Sequence, residues 1–94
     1  MRIEYEYEIH LREYGQSHYA VNVREDHVLP CGEIESEYVK GLDFRNREDA
    51  EAKWRELGKK YEDLLRKKGG GIVDYQNWMD STSELIEIDA DPEP

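Results

Sequence analysis

The sequence is poor in cysteine, proline and phenylalanine, with one Cys, three Pro and one Phe in 94 residues. The lone Cys31 rules out an internal disulfide framework, so a reducing, cytoplasmic setting is expected. Nowhere do the ~20 apolar residues of a membrane-spanning helix run together. The start, Met1-Arg2-Ile3-Glu4, lacks the basic-then-apolar layout of a signal peptide. Base is scarce as well: 13 Lys and Arg stand against 23 Asp and Glu, for a formal net charge of −10. Such a balance excludes nucleic-acid phosphates and anionic membranes as direct partners, since both reward basic surfaces. What is present still folds. At 37% hydrophobic and 11% aromatic, the chain is too apolar to be wholly disordered. It forms one small domain, expected over residues 1–88 with an acidic tail over 89–94.

The first strand is the clearest local signal. Ile3, Tyr5, Tyr7, Ile9 and Leu11 alternate with Glu4, Glu6, Glu8, His10 and Arg12, the period of a half-buried strand. A second run follows, with Tyr19, Val21 and Val23 facing one way and His18, Ala20, Asn22 and Arg24 the other. Gly15 between them predicts a hairpin. Centred there, it sets Leu11 opposite Tyr19, Ile9 opposite Val21, Tyr7 opposite Val23 and Glu6 opposite Arg24.

From Asn46 onward the period changes. Asn46 is a capping residue with Asp49 three positions on, and Ala50, Trp54, Leu57, Tyr61 and Leu64 form one apolar stripe. Early acids (Glu48, Asp49, Glu51) and late bases (Arg66, Lys67, Lys68) suit the helix dipole. Glu51–Arg55, Glu56–Lys60, Glu62–Arg66 and Asp63–Lys67 are spaced for ion pairs along the helix. Gly69-Gly70-Gly71 ends it. Two more strands are expected, Ile72–Met79 and Glu84–Ala90, around the turn Asp80–Ser83.

Within residues 25–45, Pro30 and Gly32 break the chain and Glu33–Lys40 fits two templates. As a strand, Ile34, Ser36 and Tyr38 alternate with Glu33, Glu35 and Glu37; as a short helix, Ile34, Tyr38 and Leu42 stack, with Gly41 at the end. The Gly41-Leu42 ending favours helix or turn. The resulting expectation is an α+β fold in β-β-α-β-β order: an antiparallel sheet of about four strands, in two hairpins, with one long helix packed across one face.

Catalytic chemistry finds little support. His10, His18, His27 and Cys31 lack the spacing of a metal site, so no metal or other cofactor is expected. Cys31 with His27 lacks an orienting third group. The Gly69–Gly71 run follows a helix, the wrong polarity for a phosphate loop. Ser81–Ser83 carries no nucleophile elbow. The expectation is a protein that is not an enzyme.

Charge is more informative. Residues 1–44 hold four bases and ten acids, residues 45–68 nine bases and six acids, and residues 69–94 seven acids and no base. The acids form every-other-residue ladders: Glu4, Glu6, Glu8; Glu33, Glu35, Glu37; and Glu87, Asp89, Asp91. On a strand these project from one face ~6.8 Å apart. Two adjacent ladders approach the charge density of a phosphate backbone, which makes these nine residues candidate contacts for a basic nucleic-acid-binding groove. Tyr14 and Trp78 are candidate anchors beside them.

The Glu4-Tyr5-Glu6-Tyr7-Glu8 strand, the single long helix Arg47–Lys68 and the bare acidic C-terminus together resemble the small acidic inhibitors encoded by phages and other mobile elements, the anti-CRISPR proteins above all. That resemblance implies a non-enzymatic inhibitor in the host cytoplasm, with a CRISPR effector complex as the protein partner. Several anti-CRISPR proteins block the crRNA-guided complex where target DNA binds. The mixed-charge helix offers a different contact through Lys59, Lys60, Arg66 and Lys67. The alternative is a small structural or homo-oligomerising domain, monomer or homodimer, whose acidity serves solubility.

Overall fold

The computed structural model describes residues 5–89. Its elements run β1 (Tyr5–Glu13), β2 (Tyr19–Val28), β3 (Ile34–Phe44), α1 (Arg47–Lys68), β4 (Gly70–Asn77) and β5 (Thr82–Asp89). The five strands form one sheet in the order β3-β2-β1-β4-β5, and α1 packs against one face. The class is α+β, as the sequence indicates. The expected tail lies outside the described residues, apart from Asp89, which closes β5 opposite Gly70.

Two details of the expected sheet are corrected, and they share one cause. Residues 34–44 are neither helix nor turn but an 11-residue edge strand paired to β2 from Tyr19–Phe44 to Val28–Ile34. A helix there would leave the ten-residue outer edge of β2 without partners for its backbone groups, and strand pairing supplies them. The helical stripe of Ile34, Tyr38 and Leu42 is split. Leu42 pairs with the core residue Val21, whereas Tyr38 pairs with Arg24 on the other face. This extra strand reverses the chain once more before α1. The helix then returns it to the far side of β1, so β4 runs parallel to β1. The sheet is therefore mixed, with five strands and not about four, and not wholly antiparallel.

The β1–β2 hairpin keeps the expected faces but shifts its register by two residues: Leu11 meets Val21, Ile9 meets Val23, Tyr7 meets Glu25, and Arg24 pairs with Glu8 instead of Glu6. The connection is a five-residue loop closed by Tyr14 N–H donating to His18 O, with positive φ at both Gly15 and Ser17. Gly15 is one hinge of the turn and not its centre.

The helix begins and ends where its caps dictate. Asn46 accepts the Asp49 N–H through its side chain at 2.8 Å, and Gly69 takes the left-handed conformation (φ 105°) at the C-terminus. Ala50, Leu57, Tyr61 and Leu65 are buried, with Trp54 and Leu64 packed at the margins. The ion pairs that form are Arg47–Glu51, Lys53–Glu56 and Arg66–Asp63. None of the four expected pairs is among the ion pairs of the described residues. The core below is made by Tyr7, Ile9 and Leu11 of β1, Val21 and Val23 of β2, Val73 of β4 and Ile88 of β5. Trp54 Nε1 donates to Ile9 O at 2.8 Å, and the rings of Tyr7 and Tyr61 lie 4.5 Å apart, fixing the helix over the central strand. No helix is long and apolar enough to cross a membrane.

Candidate interaction surface

With α1 on one side, the opposite face of the sheet is left uncovered by any element among the described residues. Cross-strand partners share a face, so the register lays that surface out as rows. One row reads Ser36, Asp26, Glu6, Ile72, Glu87 from β3 to β5. The next reads Tyr38, Arg24, Glu8, Asp74, Leu85, and the third Gly41, Asn22, His10, Gln76, Ser83. Strands lie ~4.8 Å apart and alternate residues ~6.8 Å apart, so Asp26, Glu6, Glu8 and Asp74 form one carboxylate field across three strands.

That field is wired together. Arg24 Nε lies 3.9 Å from Glu8 and 3.5 Å from Asp26, and Ser36 Oγ donates to Asp26. Gln76 and Ser83 donate to the two oxygens of Asp74 at 2.7 and 3.1 Å. His10 Nε2 lies 3.3 Å from Glu8 Oε1, while its Nδ1 faces Trp78 Nε1 at 3.4 Å and Arg12 at 3.5 Å. Both outer groups are donors, so His10 accepts at Nδ1 and donates from Nε2, the neutral tautomer. Arg12 completes this end by stacking over the Trp78 ring at 4.9 Å.

The electrostatics follow from the crowding. A hydrogen bond shared with Asp26, then burial and the Asp26 charge, push Glu8 up to about 7, against the opposing pull of Arg24. Burial followed by the charges of Asp26 and Asp74 raises Glu6. Asp26 itself is only 5% exposed. Burial pushes it up, but its hydrogen bonds with Glu8 and Ser36 and the Arg24 charge win and hold it below the ordinary aspartate value. Burial and the neighbouring Arg12 lower His10, in keeping with its neutral tautomer. The carboxylates outnumber their local bases, and one of them keeps its proton near neutrality as a result.

The sequence candidates are distributed as follows. Glu6, Glu8, Glu87 and Asp89 share the open face. Glu35 and Glu37 pair with His27 and Glu25, which places them on the helix side of the sheet, beyond the end of the core. Glu33 lies in the loop before β3. Glu4 and Asp91 fall outside the described residues. The three ladders thus do not form one surface. Trp78 stands at the margin of the open face, whereas Tyr14 packs against His18 in the β1–β2 loop, away from the carboxylate field. Lys59, Lys60 and Lys67 are exposed on α1, on the opposite layer, and Arg66 pairs with Asp63.

Sequence reasoning missed Asp26 and Asp74. Neither belongs to an alternating acidic run, and only the β2-β1-β4 order brings them beside Glu6 and Glu8. Arg24 carried a signal, since a base inside a hairpin of acids is an obvious partner, but the register moved it one pair along. Among the described residues no group of three His, Cys, Asp or Glu is arranged to hold a metal ion. Cys31 is exposed in the β2–β3 connection. Comparison with protein-family models, with curated proteins and with solved structures finds no match to this chain.

Proposed function

We propose that the protein is a non-enzymatic binding protein that inhibits a nucleic-acid-binding complex, of the anti-CRISPR or anti-defence type, by presenting its open acidic sheet face to the partner's basic groove. The observation that carries this is the uncovered face itself: Asp26, Glu6 and Glu87 in one row and Glu8 and Asp74 in the next, with no helix over them among the described residues. A two-layer fold gains nothing in its own stability from massed carboxylates, because like charges on neighbouring strands repel. Burial is the main cause of the raised Glu6 and a hydrogen bond with Asp26 that of the raised Glu8, and the Asp26 charge adds to both, so part of the repulsion is left for a partner to relieve. A groove lined with Lys and Arg relieves it, and gives fast, salt-sensitive association. Trp78, stacked by Arg12 at the edge of the field and half exposed, supplies an apolar anchor.

The test is competition. A labelled duplex bound to crRNA-guided effector complexes, and to other proteins with basic nucleic-acid grooves, is titrated with the protein at several salt concentrations. Displacement that weakens steeply with salt, and is lost in a Glu6→Lys, Glu87→Lys variant that still folds, supports the proposal. Displacement unchanged by those reversals removes the open face as the contact, and displacement of none of the duplexes overturns the reading.

A further inference from the structure

The second acidic surface lies elsewhere and has a different form. β3 is an edge strand, and seven consecutive residues, Glu33 to Val39, are exposed. Its outer backbone N–H and C=O groups therefore face away from β2 with no strand beyond them among the described residues, the geometry that accepts an added strand. Its two faces differ in chemistry. Toward the helix side, Glu35 and Glu37 border a shallow groove completed by Glu25 and His27 of β2. Toward the open side, Ile34 and Tyr38 are 61% and 65% exposed.

Glu25 is held ready as an anion. Burial pushes it up, but hydrogen bonds from His27 and Tyr7 outweigh this and keep it below the ordinary glutamate value. The nearest cation on the helix, Lys68, sits over the Tyr5 ring at 4.9 Å, and β3 contributes only Lys40. Among the described residues the groove is thus short of base. A second copy of the chain is a poor occupant, because it sets one acidic strand against another and adds its own charge of −10.

We infer that the free edge of β3 binds an extended segment of a partner protein by strand addition, the segment carrying Lys or Arg at alternate positions and apolar side chains between them. Alternate residues of an added strand are ~6.8 Å apart, the spacing of Glu35 and Glu37 on β3, so two successive bases face the two carboxylates. The intervening apolar side chains then meet Ile34 and Tyr38 on the other face. Backbone pairing supplies the affinity and the two-faced pattern supplies the choice of sequence. Glu35 and Glu37, the two carboxylates it uses, lie on the opposite side of the sheet from the carboxylate field, so the inference does not rest on the proposed inhibition.

An N-acetylated octapeptide alternating Lys and Val is the probe, titrated into the whole chain and followed by backbone amide shifts and calorimetry. The expected result is saturable shifts confined to residues 34–40 of β3 and to His27. Binding should weaken about tenfold in Glu35→Lys, Glu37→Lys and be unaffected by Glu6→Lys, Glu87→Lys. N-methylating alternate amides along one edge of the peptide should abolish binding, while methylating the other edge should not. Tyr38→Ala gives an independent loss if the charge reversals disturb folding. Shifts centred on Glu6, Glu8 and Asp74 of the carboxylate field, equal binding by a block Lys-Val peptide of the same composition, indifference to N-methylation, or no saturable binding each overturn the inference. Doubling of mass by light scattering, with β3 amides protected in the free protein, assigns the edge to a second copy and overturns it as well.

Discussion

Glu8 and Asp26 stand diagonally across the β1–β2 ladder and share one hydrogen-bonded proton, Glu8 pushed up to about 7 and Asp26 held down. The pair makes the stability of the fold depend on pH in a definite direction. Unfolded Glu8 titrates at 4.5, so its folded-state preference for the proton is fully present below 4.5 and is lost as pH rises through about 7. Gln mimics the protonated acid and does not titrate. Relative to Glu8→Gln, the natural protein should lose on the order of 2 kcal/mol between pH 5 and pH 7.5, by urea unfolding at each pH. The lowered His10 works the other way, its contribution fading as pH falls, and cancels in this difference as long as it stays neutral. A pH-independent difference would remove the shared proton.

The same pair predicts a proton signature for binding. A Lys or Arg brought against the open face favours ionised Glu8, so docking near pH 7 should release about half a proton, and more at pH 6. Calorimetry of the complex in buffers of different ionisation enthalpy should give heats that differ in proportion. In Glu8→Gln the buffer dependence should vanish. Binding through the β3 edge alone would leave the heats independent of buffer in both proteins.

At Gly58 the helix touches β4. A Cβ there would overlap the Tyr75 ring and hydroxyl, and Tyr75 donates to Glu62 one turn further along α1. Helix propensity alone favours Ala over Gly by ~1 kcal/mol. Gly58→Ala should nonetheless destabilise, by about 1–3 kcal/mol, because Tyr75 must move. Pairing it with Tyr75→Leu should recover part of the loss, as read by the urea midpoint. A stabilised Gly58→Ala would contradict this close approach.

Trp54 ties α1 to the middle of the sheet through its indole N–H to Ile9 O. Trp54→Phe keeps most of the apolar contact and removes the donor, for an expected loss of about 1 kcal/mol. Asn46→Ala should cost a similar amount by leaving the Asp49 N–H uncapped. The two sites share no partner, so the double variant should lose the sum. A loss far from the sum, measured by chemical denaturation, would show that the cap and the indole contact are coupled.

How far the sequence went can be seen strand by strand. β1, β2, α1, β4 and β5 were legible because their signals are local: the alternation from Tyr5 to Leu11, the stripe from Ala50 to Leu64, the Asn46 cap and Gly69. β3 was not, since Ile34, Tyr38 and Leu42 satisfy a helical period as well as a strand one, and no local term separates them. The choice is made by β2, whose outer backbone needs a partner. The candidate site divides in the same way. Glu6, Glu8 and Glu87 announce themselves as ladders, whereas Asp26 and Asp74 do not.

The sequence by itself determined the α+β class, the helix and its ends, the faces of the first hairpin and the segregation of charge. All of these arise from side-chain period and capping within a few residues. Only the tertiary structure decided that a fifth strand reverses the chain and sets β4 parallel to β1. That pairing carries Asp74 to Glu8 and Glu87 into the row of Glu6, and leaves Glu35 and Glu37 on the far side of the sheet. Strand order depends on contacts between residues more than sixty apart, such as Glu8 and Asp74, and no pattern within either strand encodes which neighbour it will meet.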